Sequence, residues 1–268
     1  MVVCSEQLCY QSQFASVGGA ALYVEASYFN HDCQPNVARF NVGDVQFFRT
    51  NGEVKAGEEL CISYIESECL CENPVMRTAL LGGRGFSVGG APRPSERPSE
   101  HGEEEEGDLE EGPAGPMVGP ELQEELFSCA PTERLDGVAS IIEEAGEELL
   151  EVDKKELSLI QAVSYTQMGQ FDNALQKWEE CLRFCIDKCP PNDESGVAYA
   201  LQAALSAIAA DNKPKAKLHC ATALAIHTVA FGPGLPLLQA RFAKEMSELG
   251  DKHPWSGTDH IETLWTLF

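Results

Sequence analysis

Between residues 87 and 131 the chain has almost no large apolar side chain before Leu122; in their place stand Gly, Pro, Ser and Glu, with an unbroken glutamate run from Glu103 to Glu106. Such a stretch cannot bury enough surface to offset the entropy of ordering it, so the sequence predicts a disordered, self-repelling acidic linker over 87–131. What packs must then pack as two separate pieces, 1–86 and 132–268. The charge follows the same division. Of a formal net charge of −24, residues 1–90 carry 10 acids and 5 bases, 91–125 carry 12 and 2, and 126–268 carry 21 and 12, which gives −5, −10 and −9. A chain this acidic lacks the clustered Lys and Arg that neutralise phosphates, so direct binding of nucleic acid is not expected, whereas a basic protein partner is electrostatically compatible. The Glu103 to Glu106 run reads as a solvated stretch of linker before it reads as a dock for a basic tail.

The cysteine count is eleven, an odd number, and the N-terminus MVVCSEQLCY has no basic patch followed by an apolar run. Reduced thiols and a cytoplasmic or nuclear location are therefore expected. The longest apolar-leaning stretch, 197–210, is interrupted by Gln202 and Ser206, so no membrane span is expected either.

The two pieces differ in period. In 1–86 short β-like runs alternate with turn residues: AALYVEAS, then VARFNVGDVQFFRT, whose two halves should pair around the turn 41–44, then NGEVKAGEE and LCISYI. In 132–268 the period is helical. Leu135, Val138, Ile141, Ile142, Ala145, Leu149 and Val152 share one face of a helix expected over 133–152. Ala162, Tyr165, Gly169, Phe171, Ala174, Trp178 and Cys181 set small and aromatic residues at the offsets of a tetratricopeptide (TPR) unit, with a period of about 34 residues. A further helical hairpin is expected over 198–209 and 216–230, turning at Asp211, Asn212 and Pro214, and one last helix over 235–249. Trp255 and Trp265 read as anchors for the tail.

The unusual chemistry lies between the β-like runs, where Asn30-His31-Asp32-Cys33-Gln34-Pro35-Asn36 is followed some distance on by Gly57-Glu58-Glu59-Leu60-Cys61-Ile62-Ser63-Tyr64. Alone, the first could be a turn with an Asx cap and the second an edge strand. Together, and in this order, NHDCQPN and GEELCISY resemble the NHSCxPN and GEELxxxY motifs of the C-terminal half of a SET domain, the fold of the protein lysine methyltransferases, with Asp32 in place of the usual Ser. The helical repeats make the resemblance closest to the SET-and-MYND branch, which ends in a TPR-like domain.

The resemblance implies an α+β chain: a partial SET-type β-fold with its pseudoknot segment over 1–86, the linker over 87–131, and an all-α TPR-like domain over 132–268. It implies S-adenosylmethionine (AdoMet) as cofactor, contacted by Asn30 and His31 and stacked upon by Phe86, and it makes Tyr64 the active-site tyrosine lining the channel where a substrate lysine meets the methyl group. The glycine-rich strand-loop that grips the methionine end of AdoMet in the family has no GxG counterpart before Asn30, and neither the MYND cysteine cluster nor the post-SET CxCxxC is present. Cys33 lacks its family zinc partners, Cys69 and Cys71 stand close behind Tyr64, and zinc is not expected there. Cys181, Cys185 and Cys189 recur every four residues; a packing face is favoured over a thiol clip, and no metal ligand is expected. His219 and His227 lie eight apart on one helix and read as packing or surface residues before groove-lining ones. Two functions follow: an AdoMet-dependent lysine methyltransferase acting on a histone or non-histone protein, or a catalytically incomplete SET remnant serving as a TPR-type interaction module with a peptide partner.

Overall fold

The computed structural model divides into two compact units, Met1–Gly112 with Val229–Gly232, and Pro113–Thr228 with Pro233–Phe268. It describes residues 6–11, 16–21, 23–42, 45–65, 69–71, 77–78, 80–81, 117–191 and 193–250.

In the first unit, β1 (Glu6–Gln11) and β2 (Ser16–Ala21) form an antiparallel pair running from Glu6↔Ala21 to Gln11↔Ser16. The run AALYVEAS does not continue as a strand. After Ala21 it turns into a short 3-10 helix, Glu25–Tyr28, held by Ser27, whose Oγ donates to the Val24 carbonyl at 2.6 Å. Glu, Ala and Ser have little strand preference, which explains the break. Next come β3 (Asn30–His31), β4 (Val37–Val42), β5 (Val45–Thr50) and β6 (Cys61–Ile62). β4 and β5 form the expected hairpin, antiparallel from Val37↔Thr50 to Val42↔Val45, with Phe40 and Phe47 stacked across it at 5.3 Å. β3 and β6 are far apart in sequence yet pair in parallel, Asn30↔Cys61 and His31↔Ile62. Val37, Ala38, Phe40, Ile62 and Leu70 are buried.

Among the described residues there are eight α-helices, which belong to the second unit except for residues 229–231 at the end of α6: α1 (Pro120–Ser128), α2 (Pro131–Ala145), α3 (Glu151–Gln167), α4 (Phe171–Lys188), α5 (Ser195–Ala209), α6 (Lys213–Phe231), α7 (Leu235–Arg241) and α8 (Ala243–Leu249). α1 falls inside the segment expected to be linker. Its Leu126 is buried in a cluster with Val118, Val138, Leu149, Leu157 and Ile160, enough apolar surface to order the end of that segment, while residues 82–116 lie outside the described residues. The helix expected over 133–152 is interrupted: Gly146 takes φ +54, which an L side chain rarely adopts, and α3 restarts at Glu151. Asp153 organises that restart, its carboxylate accepting from Leu150 N at 3.1 Å and Val118 N at 2.8 Å. Arg134, buried, closes α1 by donating to the carbonyls of Leu126 (3.0 Å), Phe127 (3.3 Å) and Cys129 (3.0 Å) at the helix C-terminus, of which the Leu126 carbonyl also accepts from Cys129 N at 3.2 Å.

α3 and α4 meet through the residues the spacing singled out: Ala162, Ala174 and Cys181 are fully buried and Trp178 nearly so. Gly169 serves the turn rather than the helix contact. With φ +70 it ends α3 in a Schellman arrangement, Gly169 N to Thr166 O at 3.1 Å and Gln170 N to Tyr165 O at 2.9 Å. Asp211, at φ +55, ends α5 in the same way. The last helix expected over 235–249 is two, broken at Phe242, whose ring packs on the core edge-on to His227 at 6.4 Å. His219 and His227 are both buried, and His219 Nε2 lies 2.8 Å from Glu179 Oε1. Trp255 and Trp265 lie outside the described residues. Among the described residues, no single helix is long and apolar enough to cross a membrane.

Candidate active site: a clasp between two short segments

A strand of two residues makes too few ladder bonds to hold itself, so the pairing of β3 with β6 depends on side chains that act as backbone. Asn36 does most of this. Its Oδ1 accepts from Cys61 N at 2.8 Å while its Nδ2 donates to Glu59 O at 2.8 Å and, more weakly, to Glu58 Oε1 at 3.3 Å. Asn51 holds the same turn from the other side, its Nδ2 donating to Pro35 O at 2.8 Å and its backbone N to Asn36 O at 2.9 Å. Asp32 Oδ1 accepts from Gln34 N at 2.7 Å, a local Asx turn that a Ser hydroxyl could also form, and Asp32 N continues the ladder to Ile62 O at 3.0 Å.

The approach to β6 is prepared by Gly57, whose φ of +87 needs glycine. Glu58 closes that turn through its Oε2, which accepts from Lys55 N at 3.0 Å. The bond from Lys55 N, followed by the one from Asn36, holds the Glu58 carboxyl below the ordinary carboxylate range. Burial, then Glu59 and Asp32, push the Cys61 thiol up, which disfavours a nucleophilic thiolate there.

His31, Asn30 and Tyr64 come together in this clasp. Tyr64 N donates to His31 Nδ1 at 2.9 Å, and His31 Nε2 lies 3.3 Å from Cys33 Sγ. A backbone N–H can only donate, so Nδ1 must carry the lone pair; the imidazole is neutral and its proton sits on Nε2, facing the sulfur. The rings of His31 and Tyr64 lie 5.5 Å apart and tilted by 44°. Tyr64 Oη donates to Phe29 O at 2.5 Å, and Phe29 in turn stacks on Phe48 at 4.5 Å. Asn30 is exposed, with its Nδ2 on Glu59 Oε1 at 2.5 Å. Of the residues anticipated as a site, then, three converge, and Phe86 lies outside the described residues.

The family follows from a comparison. The SET domain model matches residues 4–65, a span that takes in the β1–β2 hairpin, both motifs and the whole clasp. Residues 4–65 belong to the SET domain family. A relative from Saccharomyces cerevisiae, described as "Potential protein lysine methyltransferase SET6", is 41% identical over 46 residues, which cover 17% of this chain and 12% of that protein. Within this SET segment, Asn36, Asn51, Glu58 and Glu59 are the residues that sequence reasoning left without a role. Their signal was present, since Asn36 and Glu58-Glu59 stand inside the two motifs, but a motif does not say that its members bond one another. Cys33 likewise has a use without zinc: its buried sulfur faces the His31 ring.

Proposed function

We propose that the SET segment forms part of an AdoMet-dependent protein lysine methyltransferase site. The observation that carries this is the clasp itself, in which the Asn30-His31 segment and the segment ending at Tyr64 are bound edge to edge, with Tyr64 N on the His31 ring. The residues present fit a cationic cofactor. Asn30 is exposed and its amide nitrogen is anchored on the Glu59 carboxylate, so a carboxamide oxygen and an anionic carboxylate stand side by side, which suits a ligand bearing a sulfonium and an ammonium group.

When bound, AdoMet supplies a methyl group on a sulfonium for in-line displacement by a neutral lysine amine. The chain's task in such a reaction is positioning and polar stabilisation. Asn30 and Glu59 would hold the cofactor's charged end, and Phe86 would stack on its adenine. The His31 ring, with Nδ1 and Nε2 both engaged, keeps the two segments in register rather than exchanging protons. Tyr64, its phenol committed to Phe29 O, orients the channel; a phenol with a pKa of about 10 is a poor base. Kinship to the SET-and-MYND branch, a TPR-like second unit with a peptide partner, and a cytoplasmic or nuclear location belong to the same proposal. Calorimetry of the full chain with AdoMet tests it: binding that weakens in Asn30→Ala is expected, and no heat at millimolar cofactor sinks the reading.

One observation favours the rival, an interaction module built on an incomplete SET segment: the Tyr64 hydroxyl is already used internally. On that reading Tyr64→Phe leaves biological activity intact, while disrupting the Trp178 packing abolishes partner binding. On the methyltransferase reading Tyr64→Phe lowers methyl transfer from labelled AdoMet.

A further inference from the structure

The cysteines on α4 do not behave as one face. Cys181 is fully buried, its sulfur donates to the Lys155 carbonyl at 3.7 Å, and burial pushes its thiol up to about 12, so it takes no part in ligand chemistry. Cys185 and Cys189 part company with it at the helix end. Cys189 is the C-terminal cap of α4, its N–H on Cys185 O at 3.0 Å, and the chain is then turned back by Pro190, whose carbonyl accepts from Asp193 N at 3.0 Å. The result sets three donors together: the two sulfurs and an Asp193 carboxylate oxygen all lie within 4.8 Å of one another.

Asp193 supplies the second observation. The residue is only 6% exposed; its Oδ1 accepts from Ser195 N at 2.9 Å, starting α5, while Oδ2 is buried and has no hydrogen-bond partner among the described residues. A carboxylate oxygen taken out of water without a donor is costly, and a cation is the group that removes the cost. The carbonyl end of α4 adds partial negative charge at the same place.

From this we infer that Cys185, Cys189 and Asp193 form a binding site for a thiophilic divalent cation of the zinc class. Two thiolates and one carboxylate are a borderline-soft donor set, and a fourth position is open to water. Ligand atoms around a tetrahedral zinc stand about 3.8 Å apart for bonds of about 2.3 Å, so the three donors need to draw in by about 1 Å. Each thiol gives its proton to solvent as its metal–sulfur bond forms, two protons released per ion, and nothing is oxidised; affinity therefore falls as pH falls. The cysteine spacing alone favoured packing, because Asp193 belongs to the following turn and not to the helix.

The test uses the full chain, reduced and stripped of metal, titrated with Co2+ and then Zn2+. A thiolate-to-cobalt charge-transfer band saturating at one equivalent and displaced by zinc is expected, weakened at least tenfold in both Cys189→Ala and Asp193→Asn but unchanged in Cys129→Ala. Asp193→Asn retains an oxygen for Ser195 N, and Cys189 is half-buried at the helix end, so each variant should keep the parental far-ultraviolet circular dichroism. Absence of the band, or its survival undiminished in either variant, overturns the site.

Discussion

In the first unit, strands of two residues are held by side chains standing in for backbone: Asn36 takes the Cys61 N–H and gives to the Glu59 carbonyl, and His31 receives the Tyr64 N–H. In the second, long helices bury whole side chains, with Trp178 against Tyr199 at 5.9 Å and a floor of alanines from Ala200 to Ala207 beneath them. The contrast teaches where damage should travel. A hydrogen-bond clasp loses discrete bonds, each worth about 1 kcal/mol net, and loosens locally. A packed helix pair loses a volume that its neighbours cannot refill, and the cost spreads through the unit.

The largest effect should come from Trp178→Ala. The cavity should cost about 3–5 kcal/mol in denaturant unfolding of the helical signal, while the Cys61 amide keeps its hydrogen-exchange protection. If that amide is deprotected as well, the two units do not lose structure independently. Arg134→Met removes the side-chain donors from three carbonyls at the end of α1, of which only the Leu126 carbonyl keeps a backbone donor in Cys129 N, and should cost about 2–3 kcal/mol, read as faster exchange of α1 amides. Asn36→Ala should cost about 2 kcal/mol and show the reverse pattern to Trp178→Ala, deprotecting Cys61 and Tyr64 and sparing α3 and α4. Tyr64→Phe, which removes one hydroxyl bond to Phe29, should cost about 1 kcal/mol in the same local readout.

The smallest effect is on acid stability. Burial raises the Glu179 pKa, but hydrogen bonds from Lys215 and His219 outweigh it and hold the carboxyl below its ordinary value. A carboxyl depressed in the folded state contributes stability that is present above the unfolded pKa and is lost as pH falls through the folded one. Glu179→Gln should therefore flatten the acid limb of the helical unit's stability profile and leave its neutral plateau little changed. An acid limb identical to the parent's would remove Glu179 from that account.

Much of the layout was legible because it rests on local rules. The apolar alternation around the turn 41–44 foretold β4 and β5, and of the small-and-aromatic positions from Ala162 to Cys181 the structure buries Ala162, Ala174, Trp178 and Cys181 in one core cluster, while Gly169 is exposed in the turn. Breaks inside helical periodicity were missed. The apolar face runs on through Gly146 and Phe242, and only the φ of +54 at the one and the docking of the other's ring on the core decide that the helix stops. α1 was missed for a related reason: a Gly-, Pro- and Glu-rich stretch reads as unpacked until Leu126 finds Val138 and Leu157 to bury against.

At the candidate site, the two motifs by their order and residue types mark the SET segment along the chain itself, and Asn51, which also holds the clasp, lies outside both of them. What each of them does was decided in three dimensions. That Asn36 substitutes for a strand, that His31 is neutral with its proton facing Cys33, and that Asp193 joins Cys185 and Cys189 depend in turn on partners 25 positions away, on Tyr64 and Cys33 at 33 and 2, and on cysteines 8 and 4 positions back, being turned to face one another. Hydrogen bonds and metal ligation are directional and short in range, so they are settled by where side chains point. Hydrophobic patterning is neither, and for that reason it can be read along the chain.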